Sequence, residues 1–127
     1  MASSRDLFAH ASEAELARIL DFYRIPWQYE PRTFPIVWND QGEPVEFFTP
    51  DFYLPDYDLY IELTVAKPIR NTRKNRKVRL LRSHHPQVKV KLFTRRDVER
   101  LFSRAAKASA GSRTSSASPA LAHPWAS

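Results

Sequence analysis

One run constrains this chain more than any other: Leu59-Tyr60-Ile61-Glu62-Leu63-Thr64. Without Glu62 it would read as a strand covered on both faces. A carboxylate in the middle of such a strand is unfavourable to bury unless a cation pairs with it. Eleven positions earlier, Asp51 follows Pro50 at the mouth of a second apolar run, Phe52-Tyr53-Leu54. If the two runs are neighbouring strands, the fold must supply a cation to both acids. That cation is either a basic side chain or a divalent metal ion shared by the two carboxylates.

The charge pattern agrees with an anionic ligand. Residues 1–62 hold twelve of the fourteen acidic residues and four basic ones, whereas residues 63–96 hold twelve basic residues and no acid. Such a stretch repels itself unless anions cover it, and phosphate backbones are the commonest such anions. A solvated helix face is the plainer explanation. The 127 residues suffice for one domain with a modest core. There is no cysteine, which excludes disulfides and thiolate metal sites. No apolar run approaches the ~20 residues of a membrane span, and no signal-peptide core is present. The expectation is an intracellular, cytoplasmic protein.

Along the chain, residues 1–11 read as a loose leader. Ser12 is placed to cap a helix with Glu15 at its third position, a capping box, and Leu16, Ile19, Leu20 and Tyr23 follow at helical spacing. The helix stops before Pro26. Trp27–Glu30 alternates as a strand. Phe34–Trp38 and Val45–Phe48 flank a Gly-containing loop and read as a hairpin whose second arm runs on into Asp51–Leu54. Leu59–Val65 is the buried strand. Residues 70–84 form a basic helix with Val78 and Leu81 inward. Val88, Val90 and Leu92 mark a half-buried strand, and Arg95–Lys107 a last helix. From Ala108 to the end, the Ala/Ser/Pro composition predicts disorder. The domain is thus expected over 12–107. Its strand–helix–strand step over 59–93 should be a right-handed parallel crossover, and the class α/β, a mixed sheet flanked by helices.

The ordered series resembles the PD-(D/E)XK, or restriction-endonuclease-like, nuclease superfamily: Ser-x-x-Glu on the first helix, Pro50-Asp51 at a strand end, Glu62 after an aromatic-aliphatic run, then a basic helix and a Val-rich strand. The likeness covers about residues 12–102. It implies an αβββαβα order and a metal-dependent endonuclease acting on DNA. It implies that Asp51, Glu62 and the Leu63 carbonyl hold Mg²⁺ or Mn²⁺, with Glu15 approaching from the first helix. Hard divalent ions do take such oxygen ligands. The likeness breaks at Thr64, where the family places a lysine that orients the attacking water. Lys74 and Lys77, one face of the next helix, and Lys67, just past the strand, are the candidates to replace it. Of these, Lys74 or Lys77 is expected, because Pro68 should turn the chain away after Lys67. Backbone contacts are expected from Arg70, Arg73, Arg76, Arg79, Lys89 and Lys91. Related nucleases often dimerise to cut both strands, so a homodimer is among the expectations. The Phe-Thr-Pro-Asp-Phe-Tyr-Leu-Pro and Arg-Lys-Asn-Arg-Lys-Val-Arg runs are also similar to those of actinobacterial proteins in which such a domain precedes a phosphoribosyltransferase. This chain lacks the phosphoribosyl-diphosphate loop itself.

Plainer roles exist for each residue. Asp51 suits a turn after Pro50, Glu62 a structural salt bridge with the basic helix, and Glu15 a capping box alone. His84-His85 before Pro86 suits a surface turn, and Trp27, Tyr29 and Trp38 suit the core or a sheet face. Two further functions therefore stand beside the nuclease: a non-catalytic nucleic-acid-binding module of the same fold, and an accessory domain that docks an acidic protein or accompanies a phosphoribosyltransferase.

Overall fold

The computed structural model of the chain describes residue 8, residues 10–64 and residues 71–111, the last seven through their backbone alone. Its elements are α1 (Ala11–Phe22), β1 (Gln28–Tyr29), β2 (Phe34–Trp38), β3 (Pro44–Phe48), β4 (Phe52–Leu54), a 3₁₀ turn (Pro55–Tyr57), β5 (Leu59–Leu63), α2 (Thr72–His84), β6 (Val90–Phe93) and α3 (Arg95–Gly111). The class is mixed α/β. Four strands form one sheet in the order β1-β4-β5-β6, and β2-β3 form a separate antiparallel pair. β4 runs antiparallel to β5, and β5 parallel to β6.

Alternation along β5 sorts the core into two. Leu59, Ile61 and Leu63 face α1 and α3, where Ala14, Leu16, Ala17, Leu20, Val98 and Phe102 meet Phe52 and Leu54 of β4. Tyr60 faces the other way, onto Val78 and Leu81 of α2, Val90 of β6, and Phe34, Ile36 and Phe48 of the hairpin. All five residues of β5 are buried, as expected for a strand covered on both faces. Phe52 has no exposed surface and is ringed by Phe8, Trp27 and Tyr29. Burying a side chain of that size contributes about 1.5–3 kcal/mol.

Four differences from the sequence reading have local causes. First, α1 starts at Ala11 with His10 as N-cap, and the side chain of Glu13, not Glu15, accepts the N-cap N–H at 3.1 Å. Second, the hairpin does not continue into β4. Thr49-Pro50 separates them, β3 pairs only with β2, and β4 joins β1 and β5. Five strands therefore precede α2, where the αβββαβα order has three. Third, Phe8, in the stretch expected to be loose, is buried against Tyr29, with ring centroids 4.8 Å apart. Fourth, α3 runs on to Gly111.

The hairpin is held on α2 by side chains. Arg76 grips Glu46 with two bonds of 2.8 and 3.1 Å. His84 packs edge-on against Trp38 at 4.7 Å, and a His85 ring nitrogen lies 2.9 Å from the Pro35 carbonyl oxygen. The two histidines lead into the turn at Pro86, with His84 exposed, and from there they also dock the hairpin. At its tip Gly42 takes φ +78°, and the Asn39 side chain accepts the Gln41 and Glu43 N–H groups.

Candidate active site

Among the described residues three polar side chains are buried: Glu13, Glu62 and Thr64. Glu13 comes from α1, and Glu62 and Thr64 from β5 and the residue just past it, at the end of the sheet that holds Asp51. The β4–β5 register pairs Phe52 with Ile61, so one step further it sets Asp51 opposite Glu62, on the same face. Hydrogen bonds lock the two. The Asp51 N–H donates to Glu62 Oε1 at 3.2 Å, and the Leu63 N–H donates to Asp51 Oδ2 at 2.9 Å.

Two helix starts complete the cluster. On α1, Glu13 stands in the series 13, 16, 17, 20 that faces the sheet, and it accepts the Tyr29 hydroxyl at 3.0 Å. On α2, the Lys74 ammonium donates to the Leu63 carbonyl oxygen and lies 3.6 Å from Glu62 Oε2. Asn71 caps that helix. Its Oδ1 accepts the Lys74 N–H at 3.3 Å, and its Nδ2 donates to Thr64 Oγ1 at 3.1 Å.

Burial and mutual repulsion set the protonation. Burial pushes Asp51 up to about 6; the Leu63 N–H opposes this, and the Glu13 charge adds to it. Glu62 is pushed up to about 8, by burial first and by Asp51 second, against the pull of Lys74. One lysine therefore does not compensate the acids, which hold their protons more tightly than free carboxylates do. One carboxylate oxygen each of Glu13, Glu30 and Asp51 lie within 4.8 Å of one another. Glu30 reaches this position from a backbone at φ +45°, a left-handed conformation that is unfavourable for a side chain with a Cβ, and its N–H bonds the Asp51 carbonyl at 2.8 Å. An all-oxygen carboxylate set of this kind fits a hard divalent cation.

The structure thus brings together three of the residues singled out in the sequence, Asp51, Glu62 and Lys74, and adds Glu13, Glu30, Tyr29 and Asn71. The Leu63 carbonyl, expected on a metal, accepts a hydrogen bond from the Lys74 ammonium. Glu15 points elsewhere: it pairs with Arg95 and Arg18, because two residues along a helix turn a side chain through about 200°. It lines a cleft of about 480 Å³ with Ser12, Leu63, Thr64, Arg95 and Arg96. The signal for Glu13 was present in the sequence. Extending the buried stripe of Leu16, Ala17 and Leu20 back by one turn lands on it.

Lys77 stands away from the acids, its ammonium 5.9 Å from the Phe48 ring centroid. Lys67 and Arg70 lie outside the described residues. Of the cations expected to touch nucleic acid, Arg73, Arg79 and Lys89 are exposed. Arg76 is taken up by Glu46, and Lys91 is half-buried, its pKa lowered by burial and by Arg82. No family model, curated protein or solved structure matches the chain.

Proposed function

We propose that the chain is a metal-dependent nuclease that hydrolyses phosphodiester bonds of DNA, built on a restriction-endonuclease-like variant of the mixed α/β fold. The observation that carries this reading is the convergence of buried Glu13 and Glu62 with Asp51 and the Lys74 ammonium. A structural salt bridge between Lys74 and Glu62 does not require Asp51 and Glu13 to be gathered at the same strand end.

Glu13, Glu30 and Asp51 would hold Mg²⁺ or Mn²⁺. When bound, the ion supplies Lewis acidity and positive charge beside the phosphate. The chain's own groups do the rest. Lys74 sets a fixed positive charge at the end of β5, where charge grows on a phosphate under attack, as the missing lysine at position 64 would. Glu62 holds that ammonium and, through the Asp51 N–H, the strand end. Arg73, Arg79 and Lys89 offer sequence-independent backbone contacts on the α2 side of the sheet.

The test is cleavage of supercoiled, single-stranded and branched DNA with Mg²⁺ or Mn²⁺, with and without chelator, by the wild type and by Asp51→Asn. Metal-dependent cleavage lost in Asp51→Asn supports the reading. Binding without cleavage of any substrate would replace it with the non-catalytic module. One observation favours that second reading: Lys74 already occupies the Leu63 carbonyl that a cation would use.

A further inference from the structure

Thr64 stands where a lysine is missing, and it is 2% exposed. A hydroxyl buried at a strand end is held by what it bonds. The Thr64 N–H donates to the Phe93 carbonyl at 2.8 Å, which fixes the residue to β6 and to the parallel pair. Its Oγ1 accepts from Asn71 Nδ2 at 3.1 Å. The other end of the same Asn71 side chain, Oδ1, accepts the Lys74 backbone N–H. One amide thus spans two elements: the sheet through Thr64 and the first turn of α2 through Lys74. Three residues past the cap, the Lys74 ammonium reaches back over that turn to the Leu63 carbonyl and Glu62, one and two positions before Thr64. The path Thr64–Asn71–Lys74–Leu63 is closed and short.

We infer that Thr64 and Asn71 are positioning residues for Lys74. The threonine does not fill the lysine's place. It anchors the helix start from which a lysine fills it. A free helix N-terminus frays, because its first N–H groups lack partners within the helix. Tying the cap to a buried strand residue removes that freedom where the ammonium needs it least. The chemistry assigned to Lys74 rests on the nuclease reading, whereas the positioning itself does not.

The test uses the full chain with Thr64→Val, which keeps the shape and loses the hydroxyl, and Thr64→Ser, which restores it. Asn71→Ser keeps a capping oxygen but is too short to reach Thr64. Amine acylation followed by mass spectrometry gives the labelling of Lys74 relative to Lys89 in the same molecule. Thr64→Val and Asn71→Ser should each raise that ratio at least threefold at unchanged circular dichroism, and Thr64→Ser should leave it within about a factor of two. An unchanged ratio in the folded Asn71→Ser variant overturns the inference, even if Thr64→Val does not fold. Cleavage supplies the second readout. Thr64→Val should lower kcat at least tenfold with KM nearly constant, and should add less than twofold in a Lys74→Ala background. Equal factors in both backgrounds would make Thr64 merely structural. If the wild type does not cleave, the nuclease reading falls and the labelling ratio still decides the positioning.

Discussion

Helix α2 makes two ion pairs from residues two apart, and they differ in kind. Arg76 meets Glu46 in the open with paired bonds, and each partner's charged form is favoured: Glu46 is held below the usual carboxylate range and Arg76 above its usual value, mainly by that hydrogen bonding. Lys74 meets Glu62 at 3.6 Å in a buried setting, and Glu62 moves the opposite way, up to about 8. The first pair lowers the free energy of its charges and needs nothing more. The second leaves its acid short of positive charge, with Asp51 adding to the repulsion. Only the second has a reason to bind something.

The comparison breaks most decisively if substitutions at the two pairs have similar effects on catalysis. Glu62→Gln and Lys74→Ala should each reduce cleavage by roughly 10²–10³, the scale of losing one preorganised electrostatic group. Glu46→Gln and Arg76→Gln should leave the rate per bound substrate unchanged. Initial rates at saturating DNA and metal check this.

A pH experiment comes next in size. Asp51 and Glu62 bind protons more tightly in the folded chain than in the unfolded one. Their contribution to stability is therefore complete below about pH 4 and is lost as pH rises through about 6 for Asp51 and about 8 for Glu62. Between pH 5 and 9 the metal-free protein should lose stability from this source, most of it through Glu62, and Glu62→Gln should flatten the profile. Mg²⁺ or Mn²⁺ should flatten it too. Denaturant unfolding across pH measures all three. A wild-type curve parallel to that of Glu62→Gln would mean that the acids are not strained.

Binding gives a smaller, graded effect. Replacing Arg73 or Arg79 should reduce the slope of log affinity against log salt by about one unit per lost phosphate contact, equally for all sequences. Arg76→Gln should change that slope less, since Glu46 already neutralises Arg76. The smallest expected effect is on the exposed pair itself: Glu46→Gln should shift the melting temperature slightly, and high salt should erase the shift.

The sequence carried the site's centre because two of its parts break a pattern. Glu62 interrupts a run that otherwise reads as core, and Asp51 sits at a Pro-marked strand mouth. Pro68 points past Lys67 to Lys74 or Lys77, and the choice between those two needs the rotation of the helix, in which Val78 and Leu81 are buried and Lys77 lies over Phe48. Glu13 is hard to read from the sequence because Ser12 is a better intrinsic N-cap than His10. Tertiary packing of the aromatic cluster around Phe8 competes with capping preference at that helix start, and a shift of two residues exchanged Glu15 for Glu13. The split between hairpin and sheet was equally hidden. Both arms have strand composition, and only the bonds made on either side of Thr49-Pro50 tell where one pair ends.

β5 also sets how the site yields. Its amides lie in the centre of the sheet under both halves of the core, so they should exchange with solvent only when the whole molecule opens. Glu62 is carried by the central strand, whereas Glu13 and Lys74 are carried by the first turns of α1 and α2. The acid that anchors the cluster thus sits on the strand, and the groups that complete it depend on how well each helix start is tied down, α2 through Asn71 and Thr64 and α1 through the bonds of Glu13. A cation or phosphate that engages all of them would slow exchange at the two helix starts and leave β5 as it was.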